Sequence, residues 1–173
     1  MSWGTITIAG VAYDLTHLDP FVFDVIPKAA GAPTYRVLVS FGCHCFAREW
    51  RPKDPKSHFI PDGKKGRCFC PIRTGHSMHL PRIVRDASSG PAFFSKDKNM
   101  LLVEKLPSLA GPYAVFFNVK PSTQASVDVV IFVASAYEKP LLAKALPAVP
   151  FTALIAKVSK GHTPFKPKRL TRW

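Results

Sequence analysis

The run Val127-Asp128-Val129-Val130-Ile131-Phe132-Val133-Ala134-Ser135-Ala136-Tyr137 decides the fold. Val127, Val129, Ile131, Val133, Ser135 and Tyr137 recur with the period of two that places side chains on one face of a strand, while Val130 and Phe132 make the other face apolar. A strand buried on both faces belongs at the centre of a sheet. Tyr113–Val119 has the same character, and Lys120–Ser126 joins the two.

Working outward, Thr5–Ile8 and Val11–Tyr13 flank Ala9-Gly10 as a tight hairpin, Asp14–Asp19 reads as a turn, and Phe21–Ile26 is a further strand. Tyr35–Phe46 is the first long strand. Its alternation puts Tyr35, Val37, Val39, Phe41, Cys43 and Cys45 on one face and Arg36, Leu38, Ser40, Gly42 and His44 on the other. A regular strand therefore sets His44 opposite the cysteines, and a bulge at Gly42 changes that assignment. Glu49–Lys65, interrupted by Pro52, Pro55, Pro61 and Gly63, reads as the longest loop and a substrate flap, with Arg67–Cys70 pairing back as a strand. Ser77–Ala87 carries Leu80, Ile83 and Val84 at helical spacing, with Ser77 as the cap and Pro81 in the first turn. Ala92–Ser95 and Met100–Leu106 read as strands around the turn at Lys96-Asp97-Lys98-Asn99, and Phe151–Val158 as the last strand. The pattern predicts an α+β fold, strand-rich, with a mainly antiparallel sheet and one short helix. It predicts one globular domain over 1–158 and a basic tail over 159–173.

A chain of 173 residues with 47% hydrophobic and 20% charged residues has the apolar area for one core. Lys and Arg number 24 against 11 Asp and Glu, a formal charge of +13. No acidic residue follows Glu138, so Lys139, Lys144, Lys157, Lys160, Lys166, Lys168, Arg169 and Arg172 form an uncompensated positive field. Such a field favours polyanions, nucleic acid first among them. The other reading of the tail is a solvated basic segment that keeps the protein soluble. No run approaches the roughly 18 apolar residues of a membrane span, and no secretory leader is evident at the N-terminus. The expected location is the cytoplasm, where thiols stay reduced.

Ser40–Ser77 holds all four cysteines, as Cys43-His44-Cys45 and Cys68-Phe69-Cys70 with 22 residues between the pairs. If the two strands lie side by side, Cys43, Cys45, Cys68 and Cys70 present four thiolates to a zinc ion. Zinc knuckles ordinarily place two to four residues between paired cysteines, so buried free thiols and disulfides stay open as readings. The same segment carries His44, Arg48, Arg51, Arg67, Arg73, His76 and His79. A histidine near neutral pH is a general acid or base, and arginines hold a phosphate and the charge that grows on it. With a hydroxyl these suffice for metal-independent cleavage of RNA, which brings its own 2′-hydroxyl nucleophile. The other reading of His44 is a hydrogen-bonded strand residue, and of the arginines a solvated basic face. Ser135 and Tyr137 share a face where the central strand ends, and a strand-end tyrosine that packs its ring and wets its hydroxyl fits equally well. Arg51, Lys64, Lys65, Arg67, Lys166, Lys168, Arg169 and Arg172 are the candidate nucleic-acid contacts. The scarcity of carboxylates argues against magnesium-dependent nucleases and most glycosidases, and no phosphate-binding glycine loop or His-Glu-x-x-His motif is present.

Ser135-Ala136-Tyr137 at the end of a C-terminal sheet, after a histidine and arginine cluster and a short helix, resembles the small metal-independent ribonucleases, the barnase, EndoU, colicin and RelE-like toxin assemblage. The resemblance covers Pro71–Val158. It implies a toxin-type endoribonuclease with His44 as acid/base, Arg48 and Arg73 on the phosphate, and Ser135 with Tyr137 positioning the substrate. Phe41-Gly42-Cys43-His44-Cys45-Phe46 is similar to a stretch in small accessory proteins of bacterial plasmids and mobile elements. The expected function is RNA binding, with cleavage by transesterification. The alternatives are a non-enzymatic nucleic-acid-binding module with a zinc site, and a regulatory protein that meets an acidic protein partner, such as an antitoxin, through its basic tail.

Overall fold

In the computed structural model, which describes residues 2–63, 65–95, 100–142, 145–164 and 170–172, the chain opens with the hairpin β1 (Thr5–Ile8) and β2 (Val11–Asp14). A 3-10 turn at Thr16–Leu18 leads to β3 (Phe21–Val25) and the ten-residue β4 (Tyr35–His44). A small sheet follows from β5 (Ala47–Glu49), β6 (Phe59–Asp62) and β7 (Lys65–Phe69), in the order β5-β7-β6. The segment expected to be one long loop therefore contains a strand and a 3-10 turn at Lys56–His58. The turn at 96–99 and Lys64 lie outside the described residues.

Helices α1 (Pro71–Ser77) and α2 (Leu80–Asp86) come next, each with proline in its first turn, where no amide hydrogen is needed. The helix expected from Ser77 starts at Leu80 instead. Ser77 closes α1 and is fully buried, its hydroxyl donating to the Thr74 carbonyl at 2.7 Å and lying 2.7 Å from His17 Nε2.

The remaining elements are β8 (Pro91–Phe94), β9 (Met100–Glu104), β10 (Tyr113–Pro121), β11 (Val129–Glu138), β12 (Ala145–Pro150), α3 (Phe151–Ser159) and β13 (Leu170–Arg172). They complete an eight-stranded sheet in the order β13-β12-β8-β9-β10-β11-β4-β3, antiparallel except where β11 runs parallel to β4. The fold is α+β, strand-rich and mainly antiparallel. Part of the expected tail is an edge strand, since Leu170–Arg172 pairs with 145–147 of β12.

Phe151–Val158 is helix rather than strand. Phe151, Leu154, Ile155 and Val158 are its buried residues, and their spacing of three, one and three is the stripe of a 3.6-residue period. That stripe joins Val37, Val39 and Phe41 of β4, Val129, Ile131 and Val133 of β11, and Val115 and Phe117 of β10 in the main core. The opposite face carries a smaller cluster of Phe93, Leu101, Ala114, Phe116 and Leu146. Of β11 it takes in Tyr137, while Val130 is half-buried and Phe132 is 43% exposed. From Val129 to Val133 the central strand is thus buried on one face only; past the slip Ala136 turns to the main core and Tyr137 to the smaller cluster, so Tyr137 does not share the face of Val133 as the alternation predicted. Among the described residues no helix is long and apolar enough to cross a membrane.

Candidate functional site

β4 and β11 keep register from Val37–Val129 to Phe41–Val133, then slip so that His44 faces Ser135. Gly42 sits at the slip. A Cβ there would lie 2.9 Å from Phe132 Cζ and 3.2 Å from the Ala134 carbonyl, so the two strands approach as closely as glycine allows. The amides of Cys45 and Phe46 then donate to the Gly42 and Cys43 carbonyls, both at 3.1 Å, and the chain turns into β5. The alternation of burial holds as far as His44 and ends at this turn, where Cys43 and His44 both lie near one carboxylate.

They meet on Asp62, the last residue of β6. His44 Nε2 donates to Asp62 Oδ2 at 2.8 Å, and Arg67 Nε donates to the same oxygen at 2.9 Å. One potential ligand atom each from Cys43, His44 and Asp62 lies within 4.8 Å of the others, the single such grouping among the described residues. His44 and Asp62 keep about a third of their side-chain surface in solvent, and Cys43 is buried. Burial, and then the Asp62 charge, push the Cys43 thiol up to about 11. The hydrogen bond from His44, followed by that from Arg67, holds the Asp62 carboxyl below its usual range.

The four thiols are not gathered into a zinc tetrad. Cys45 is in the core with Sγ donating to the Val133 carbonyl at 3.6 Å, and burial raises its pKa strongly. Cys68 is buried with Sγ 3.5 Å from the Phe69 carbonyl, and Cys70 is half-buried at the start of α1. All four are free thiols.

Two arginines expected on a phosphate are engaged elsewhere. Arg48 makes a two-pronged pair with Asp54, at 2.7 and 2.6 Å. Arg73 Nη1 donates to the carbonyls of His44 at 3.2 Å and Ala47 at 2.8 Å, and its guanidinium lies 4.9 Å from the Tyr137 ring centroid. Burial lowers the Arg73 pKa. Tyr137 also stacks on Phe116, with centroids 5.4 Å apart. Arg73 and Tyr137 thus meet, and Arg73 holds the backbone of His44 rather than its ring. Arg51 and Lys65 are exposed; Lys64, Lys166, Lys168 and Arg169 lie outside the described residues, as does the side chain of Arg172.

Asp62 is the candidate site residue that sequence reasoning missed. Asp62-Gly63 between two apolar-bearing runs is a hairpin signal, and Asp62 does pair with Lys65 across that turn. Tyr113 was not singled out either. Among the described residues its buried hydroxyl has no hydrogen-bond partner, and burial raises its pKa strongly.

No curated protein and no solved structure matches the chain. A family model, that of the YjaZ family, matches residues 5–159, from the first strand through α3. The span takes in the whole Cys43–His44–Asp62 cluster, and the chain belongs to the YjaZ family.

Proposed function

We propose that the protein binds nucleic acid, RNA foremost, and holds a zinc ion on Cys43, His44 and Asp62. The observation that carries this reading is the convergence of a thiol, an imidazole and a carboxylate within 4.8 Å of one another. The formal charge of +13 supports the polyanionic partner. Sulfur, nitrogen and carboxylate oxygen are the donors zinc takes, and three protein ligands leave the fourth tetrahedral position to water or a phosphate oxygen. Zinc would displace the Cys43 thiol proton and the proton His44 shares with Asp62. It would also compete with Arg67 for the Asp62 oxygen, releasing a guanidinium beside the metal.

The His44–Asp62 hydrogen bond at 2.8 Å favours one second reading. Without metal, Asp62 orients the imidazole and His44 acts as general acid or base in transesterification of RNA. Arg67 is then the guanidinium tied to the catalytic pair, in place of Arg48 and Arg73.

One experiment separates the two. The protein is purified without chelator, loaded with zinc, desalted, and assayed for bound metal and for cleavage of total RNA with and without EDTA. About one zinc per chain, lost in Cys43→Ala and Asp62→Asn, is the expected result. Absence of retained zinc refutes the metal reading. Cleavage that persists in EDTA and disappears in His44→Ala establishes the second, and cleavage unchanged in His44→Ala refutes it.

A further inference from the structure

The small sheet has a second face. Across it Arg48 pairs with Cys68 and Cys68 with Phe59, so these side chains share the side turned away from Ala47, Ile60 and Phe69, which are buried in the main core. Trp50, just past the end of β5, lies on this side too, its ring edge-on to Phe59 with centroids 5.4 Å apart. Phe59 is 48% exposed and Trp50 half-buried. Gly66 makes the arrangement possible, because a Cβ there would collide with the Phe59 ring. The ring therefore lies on bare strand backbone. Beside it opens a cavity of about 290 Å³ lined by Glu49, Trp50, Lys65, Gly66 and Arg67.

The segment that joins the two rings in the chain carries Arg51, Lys53 and Lys56, and Lys65 lines the cavity. Arg51, Lys53, Lys56 and Lys65 are all exposed, and no ion pair joins their side chains to a carboxylate among the described residues. Arg48 and Arg67, by contrast, are paired with Asp54 and Asp62. An exposed Phe59 and a half-buried Trp50, with unpaired cations close to them in the chain, match a ligand that alternates flat apolar groups with phosphates. An acidic peptide would satisfy the cations and leave the rings in water. A duplex hides its base faces in the stack, whereas a single strand offers them.

We infer that the Trp50–Phe59 face is a binding surface for single-stranded nucleic acid, with an unpaired base stacked on the aromatic pair and flanking phosphates held by Arg51, Lys53, Lys56 and Lys65. The inference rests on the nucleic-acid reading above and assigns it a surface outside the Cys43–His44–Asp62 cluster.

The test is fluorescence anisotropy of labelled U12, dT12 and a 12-base-pair duplex, titrated with the full chain and with Phe59→Leu, Trp50→Leu and Lys65→Gln over a range of salt. Loss of either ring weakens single-strand binding about tenfold and leaves the salt dependence unchanged, because a ring carries no charge. Lys65→Gln lowers the slope of log K against log salt by about 0.7. Tryptophan emission is quenched on binding in the wild type and much less in Trp50→Phe, which keeps an aromatic ring and tests the surface even if the leucine variants fold poorly. Either order of U12 and dT12 supports the surface and shows which sugar it prefers. Single-strand affinity and quenching unaltered in the ring variants, or tighter binding of the duplex, overturns this inference and leaves the nucleic-acid reading intact. Absence of binding to all three probes at low salt overturns both.

Discussion

Replacing Arg73 by Ala removes one guanidinium that touches three things at once: the carbonyls of His44 and Ala47, at 3.2 and 2.8 Å, and the ring of Tyr137. A hydrogen bond from a charged donor contributes about 1.5–3 kcal/mol, and the longer contact belongs at or below the bottom of that range. The half-exposed cation–π contact adds roughly 0.5–1 kcal/mol. Against these, the variant recovers part of the cost of burying a guanidinium. The net expected loss is about 2–3 kcal/mol, which at ~2–4 °C per kcal/mol for a chain of this size lowers the melting temperature by roughly 4–12 °C. Arg73→Lys restores one carbonyl contact and falls between. Urea unfolding followed by tryptophan emission gives the free energy, and the zinc-loading assay reads the site, because the His44 carbonyl is part of the backbone that aims the imidazole. Stability within 0.5 kcal/mol of wild type, with RNA binding reduced tenfold or more, would refute this account and return Arg73 to the phosphate.

Tyr113→Phe deletes a buried hydroxyl without a partner among the described residues and keeps the ring. The variant is expected to be more stable by about 1 kcal/mol, since an unsatisfied buried polar group costs roughly 1–3 kcal/mol; a loss of 1 kcal/mol or more in urea titration would show that the hydroxyl is satisfied. Asp54 ionises at about 2, below its ordinary 3.8, chiefly through the hydrogen bonds from Arg48. Its folded-state value is the lower one, so the contribution is complete above the unfolded value and is lost as pH falls through the folded one. Unfolding curves at pH 5, 3.5 and 2.5 should converge for wild type and Asp54→Asn at the acid end, and a constant gap between them would contradict the pairing.

The sheet was legible because a period of two is local: Val127–Val133 and Tyr35–Phe41 announce their inward faces residue by residue, whereas the slip after Val133, which turns Ala136 inward and Tyr137 to the other face, depends on the neighbouring strands. The α3 signal was equally present in Phe151, Leu154, Ile155 and Val158, but a short apolar run of this length satisfies strand and helix alike. Placing it required Pro150 to end β12 and the Phe151 amide to reach the Gly90 carbonyl at 3.0 Å, a partner 61 residues back. The site failed to read for a related reason. Cys43 and His44 are adjacent, yet what gathers them is Asp62, eighteen residues beyond His44 on a strand of the small sheet. Composition likewise marks a cation without showing what already holds it. Arg48 has Asp54 and Arg73 has two backbone carbonyls, invisible to any pattern of side chains, while Arg67 shares Asp62 with His44. A basic residue is available to a phosphate only when its donors are not engaged within the fold. By that criterion Arg51, Lys53 and Lys56, in the segment between Trp50 and Phe59, and Lys65, beside Trp50 at the cavity, are available.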